Sequence, residues 1–168
     1  TMALGMASAQ YDIMSYIGTA MATLCEGEVL QSQHARKLDT TRDDYFAIIY
    51  QKTASLLGVS AALGALSVGA SREDVDRMRK FGEAIGMAFQ IQDDILDYAG
   101  TEAVGKPLGA DILEQKITMP LLGALKQVDP AVAAGIRKKI EDITGHPEYR
   151  DEILDFVKEN GGVAYAAK

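Results

Sequence analysis

The chain has 168 residues, 48% of them hydrophobic and 24% charged, with a net charge of −7. That length allows one domain with a sizeable core, and the acidic balance excludes a surface built to neutralise nucleic-acid phosphates. Cys25 is the single cysteine, which leaves no intrachain disulfide or cysteine–histidine metal site and fits a reducing, cytoplasmic compartment.

Taken in order, the elements are all helical. Residues 2–33 place Met6, Ile13, Tyr16, Ile17, Met21 and Leu24 at helical spacing. His34 to Thr40 is polar and predicts a connection. Thr41-Arg-Asp-Asp44 has capping-box form and opens a helix through Tyr45, Ile48, Ile49, Leu56 and Leu57, extending to about Gly69. Ser71-Arg-Glu-Asp74 is a second capping box, before a helix through Met78, Phe81, Ile85, Phe89 and Leu96. Gly100, Gly105, Pro107 and Gly109 mark a loop. Pro120 predicts the start of a further helix, and Asp129-Pro130 that of another, ending near Gly145-His146-Pro147. A last helix spans about Glu148 to Asn160 and stops at Gly161-Gly162. No alternating run is long enough for a strand, so the fold class is all-α, with residues 1–168 as a single helical domain.

Thr53 to Ser71 carries no charge over 19 residues, close to the roughly 20 that a membrane-spanning helix needs. Its glycines and serines favour close helix packing instead, so a buried helix and no membrane span are expected. His34 and His146 sit in polar surroundings and read as surface residues. With Thr1 first and no signal-peptide pattern, the chain reads as a piece of a longer product.

Asp93, Asp94 and Asp97 fall within five residues inside a predicted helix. Aspartate is a poor residue there. Asp93 and Asp97 are one helical turn apart, and Gln90 lies one turn back on the same face. Read alone, the segment fits either a solvated acidic stripe or a row of oxygen ligands for a hard divalent ion such as Mg2+. Lys52 and Thr53 lie on an apolar helix; Lys106 stands in the glycine-rich loop; Lys116 follows it, with Asp111 between as a possible partner for either lysine. Together they would hold a phosphate-bearing ligand bridged to a cation, since carboxylates alone repel phosphate. No Gly-x-x-x-x-Gly-Lys-Ser/Thr loop is present.

Five blocks in order carry a resemblance. Glu26-Gly-Glu28 with Gln31, Lys52-Thr53-Ala54, Phe89-Gln-Ile-Gln-Asp-Asp-Ile-Leu-Asp97, Gly105-Lys-Pro-Leu-Gly-Ala-Asp-Ile112 and Lys116-Ile-Thr-Met-Pro120 resemble the trans-isoprenyl diphosphate synthases (polyprenyl synthetases), the third block matching their second aspartate-rich motif. The resemblance implies an isoprenoid-synthase helical bundle around a central cavity, where an allylic prenyl diphosphate ionises and isopentenyl diphosphate attacks the carbocation. It implies Mg2+ at Asp93, Asp94 and Asp97, and diphosphate contacts from Lys52, Thr53, Gln90, Lys106 and Lys116. Gln31 and Asp111 would stand behind these. It further implies a homodimer, and the Glu26/Gln31 segment leans toward long-chain products. The carbocation needs an apolar, water-excluding pocket, which Phe89 and the helix after Lys52 would help to line.

The first aspartate-rich motif of that family has no counterpart. Asp43-Asp44 is followed by Ala47 where a third aspartate belongs, and these residues already serve a helix start. The chain is therefore expected to be the carboxy-terminal half of such an enzyme and inactive in elongation by itself. A non-catalytic subunit of a heteromeric synthase and a helical interaction module with an acidic face are the competing readings.

Overall fold

The computed structural model describes residues 11–99 and 108–168. The described residues are helical without a strand: α1 Tyr11–Lys37, α2 Arg42–Ile49, α3 Ser55–Ser67, α4 Arg72–Ala99, α5 Ala110–Leu113, α6 Met119–Lys126, α7 Pro130–Glu141, α8 Tyr149–Glu159 and α9 Gly162–Ala166. Tyr50–Ala54 forms a π-helical turn between α2 and α3.

The capping boxes set two of these starts. The Thr41 hydroxyl donates to Asp44 Oδ2 at 2.6 Å while the Asp44 N–H donates to Thr41 Oγ1. Ser71 and Asp74 repeat the exchange at the entry to α4. Asp129 Oδ1 accepts from the Ala131 N–H at 3.1 Å, ahead of the proline that opens α7. Pro120 likewise sits in the first turn of α6.

Three boundaries differ from expectation. Residues 34–37 are the last turn of α1 rather than a connection, because the helix ends only where Leu38 takes a positive φ. Gly161-Gly162 does not end the helical chain: Gly161, at φ 66°, turns it into α9. The segment after the glycine-rich loop adds α5, too short to show periodicity.

The chain separates into two compact units, residues 1–30 with 46–89, and residues 31–45 with 90–168. In the second, α8 packs on α5, α6 and α7, and α9 packs on α6 and α8. Tyr98, Ile112, Leu121, Ile140, Ile143, Ile153 and Val157 form its fully buried centre. Burying such side chains is worth about 1.5–3 kcal/mol each.

In the first unit α3 and α4 approach backbone to backbone. A β-carbon on Gly82 would lie 2.5 Å from the Leu57 carbonyl oxygen, and one on Gly86 would lie 2.5 Å from Ala54 Cα. The uncharged stretch packs closely at these glycines, but it is not the buried helix expected: Leu56, Leu57 and Val68 are exposed. Arg42–Ser67 is long and apolar enough to cross a membrane, a property shared by core helices of soluble proteins; a third of its apolar window is buried.

Candidate functional site

The acidic segment occupies the last turns of α4. Asp94 is 4% exposed and both of its oxygens receive donors. The Tyr45 hydroxyl donates to Oδ2 at 2.6 Å, and Gln90 Nε2 donates to Oδ1 at 2.9 Å. Burial pushes the Asp94 carboxyl up to about 6; the two donors oppose the rise, and Asp93 and Asp97 add to it.

Asp97 does different work. Its two oxygens accept the N–H groups of Ala110 and Asp111, each at 3.1 Å, and its carbonyl accepts the Gly109 N–H at 2.9 Å. It thereby ties the start of α5 back to α4. Asp93 is exposed. A fourth carboxylate, Asp111, belongs to the same field: burial first, then the charges of Asp94 and Asp97, raise it to about 7. Lys116 opposes that rise from 3.7 Å, while its Nζ also lies 2.5 Å from Glu114. The sequence left Asp111 open to pairing with Lys106 or Lys116, and the pair seen is with Lys116. Lys106 lies outside the described residues.

Among the described residues, no three acidic, histidine or cysteine side chains converge on one metal position. The expected three-aspartate set is therefore not a preformed cage, since Asp94 and Asp97 already accept protein donors. The donor chemistry still fits a hard divalent ion. Mg2+ characteristically takes one or two carboxylates and completes its shell with phosphate oxygens and water.

In the first unit the π-helical turn carries Lys52 and Thr53. Such turns widen the helix by one residue and recur at functional positions. The Lys52 Nζ pairs with Glu28 of α1 at 3.1 Å. Gly27 makes this possible, because a β-carbon there would lie 2.7 Å from Gln51 Cβ and 3.0 Å from Lys52 Cγ. Beside it, Gln51 Oε1 is buried without a hydrogen-bond partner. Gln31, Gln90, Asp93, Asp94, Asp97, Asp111 and Lys116 belong to the second unit, whereas Lys52, Thr53 and Glu28 belong to the first.

A cavity of about 370 Å3 in the first unit is lined by Tyr16, Thr19, Tyr50, Ser55, Arg79 and Glu83 among others. Its hydroxyls and ion pair are unlike the dry apolar lining a carbocation requires. Phe89 does not line it and is exposed.

Two residues escaped the sequence reading. Glu28 stood inside a quoted block, and an acidic residue after a glycine was its only signal. Tyr45 read as a core ring; a single sequence holds no trace of a hydroxyl partner 49 positions away. His34 is half-buried rather than a free surface residue, with Asp39 at 2.8 Å and Asp44 at 3.6 Å.

The sequence pattern of the family described as polyprenyl synthetase matches residues 1–157. An octaprenyl diphosphate synthase of Haemophilus influenzae is 37% identical over 155 residues, covering 92% of this chain and 47% of the relative. Heptaprenyl diphosphate synthase component 2 of Geobacillus stearothermophilus is 41% identical over 121 residues, covering 70% of this chain and 38% of that protein. The crystal structure of a decaprenyl diphosphate synthase from Rhodobacter capsulatus superposes with a TM-score of 0.87 at 33% identity, over 98% of this chain and 51% of that one. The chain thus spans about half the length of the proteins it matches.

Proposed function

Because this chain belongs to the polyprenyl synthetase family, we propose that it supplies the diphosphate-activating half of an enzyme that joins an allylic prenyl diphosphate to isopentenyl diphosphate. The observation that carries the reading is the carboxylate field at the end of α4. Burial first, and then the charges of neighbouring aspartates, raise Asp94 to about 6 and Asp111 to about 7. Like charges held together in this way mark a site prepared for added positive charge.

Asp93 is the open oxygen ligand, with Asp94 and Asp97 behind it. Mg2+ bound there would neutralise charge developing on the departing diphosphate. Lys52, Thr53, Lys106 and Lys116 keep the diphosphate-binding roles that the family's pattern gives them, and Gln90 orients Asp94. The octaprenyl and decaprenyl names of similar proteins support a long-chain product. With one of the family's two aspartate motifs, the 168-residue chain is expected to bind diphosphate without elongating a prenyl chain.

Calorimetry with inorganic diphosphate tests the reading. Binding should require Mg2+, and both Asp93→Asn and Lys52→Ala should weaken it by tenfold or more, the scale of a lost charge-assisted contact at roughly 1.5–3 kcal/mol. Diphosphate binding that ignores Mg2+ or survives both substitutions would sink it. A second reading, as one component of a two-chain synthase, is favoured by the 41% identity to a protein named as a component. Activity appearing only on addition of a second chain would select it.

A further inference from the structure

Tyr45 stands at the first turn of α2, fixed by the Thr41–Asp44 capping box and by its own N–H donating to the Thr41 carbonyl at 3.0 Å. Its side chain is 3% exposed, a burial that a phenylalanine would achieve without a hydroxyl needing a partner. The hydroxyl is nonetheless present and donates to Asp94 Oδ2 at 2.6 Å, in the short range of bonds to a charged acceptor. Gln90 holds the other oxygen from one turn back on α4. Asp94 is thus clamped from two elements far apart in sequence, and only one donor shares its helix.

We propose that Tyr45 is a positioning residue for divalent-cation binding, acting through the Oδ2 atom of Asp94. This rests on the reading that the acidic set takes the cation. Donors that orient a ligand carboxylate characteristically change metal affinity by about 10–100-fold when removed. The hydroxyl is the only part of Tyr45 that reaches Asp94 by a hydrogen bond, so Tyr45→Phe isolates it while retaining the ring.

The test is Mn2+ binding to the purified chain, followed by the electron paramagnetic resonance of free Mn2+, with a thermal melt for each variant. Wild type, Tyr45→Phe, Asp94→Asn and the double variant complete a cycle, and Gln90→Leu removes the second donor independently. Tyr45→Phe is expected to weaken Mn2+ about 10–100-fold, and the effect should vanish in the Asp94→Asn background. Unchanged Mn2+ affinity in a folded Tyr45→Phe chain, or an equal loss with and without the Asp94 carboxylate, overturns the inference and leaves the proposed function standing. Should Tyr45→Phe not fold, Gln90→Leu decides: unchanged affinity there overturns the clamp. A wild-type chain that binds no Mn2+ even with inorganic diphosphate present overturns the functional reading and this inference with it.

Discussion

Two apolar regions look alike in sequence and end differently. In α6, α7 and α8 the periodic residues Leu121, Ile140, Ile153 and Val157 are sealed from solvent at 0% exposure. In α4 the equally periodic Met78, Phe81, Ile85 and Phe89 share one face, yet Phe81 is 58% exposed and Phe89 61%. Period and hydrophobicity state which face of a helix needs cover. They do not state whether the described chain supplies it. Directly beside this stripe on α4, Gly82 and Gly86 let α3 approach.

The largest expected effect is in the sealed region. Ile153→Ala should cost about 2–5 kcal/mol, visible as a lower urea midpoint with an unchanged slope; a cost below 1 kcal/mol would mean that the centre of the second unit is loosely packed. Gly86→Val comes next. Its new side chain would press on Ala54, and overpacking of this kind costs about 1–3 kcal/mol. Thermal melts would show the loss, and a neutral result would mean that α3 and α4 do not pack as closely as described.

The carboxylate field gives a pH-dependent contrast. Asp111 is held to about 7 in the fold but titrates near 3.9 in an unfolded chain. Between those values the folded state binds the extra proton, so the contribution of Asp111 to stability is full at low pH and is lost as pH rises toward 7. Asp44 and Asp74, whose carboxyls are held down by their capping partners, contribute with the opposite sign at lower pH. Asp111→Asn should therefore gain on wild type between pH 5 and 7.5 without added divalent cation. A difference that is flat with pH would remove Asp111 from the field.

Smallest of all is the bare stripe. Phe81→Ser should change folding stability by no more than about 0.5 kcal/mol, read from thermal melts. A loss comparable to that of Ile153→Ala would show that the stripe is covered.

Much of the architecture was legible because its causes are local. Capping boxes at Thr41 and Ser71 and prolines at 120 and 130 each act through neighbouring backbone groups. α5 and α9 escaped because helices this short carry no period, and α9 also depends on Gly161 taking a left-handed conformation. At the site, the acidic segment and the Lys52-Thr53 pair were visible as residue types in order. Their partners were not. The Glu28–Lys52 pair spans 24 positions and the Tyr45–Asp94 bond 49, and such pairings follow from packing, which one sequence does not display. The π-helical turn at Tyr50–Ala54 was likewise not read from the sequence.

The central claim is prenyl elongation, and one assay addresses it directly. The reading frame that encodes this chain is expressed whole, incubated with Mg2+, farnesyl diphosphate and isopentenyl diphosphate, and its products are weighed by mass spectrometry beside an Asp93→Asn/Asp94→Asn variant. The account predicts a ladder of prenyl diphosphates spaced by one isoprene unit, reaching long chains and lost in the variant. A folded protein that gives no elongated product, with any allylic primer and with candidate partner chains added, would contradict it.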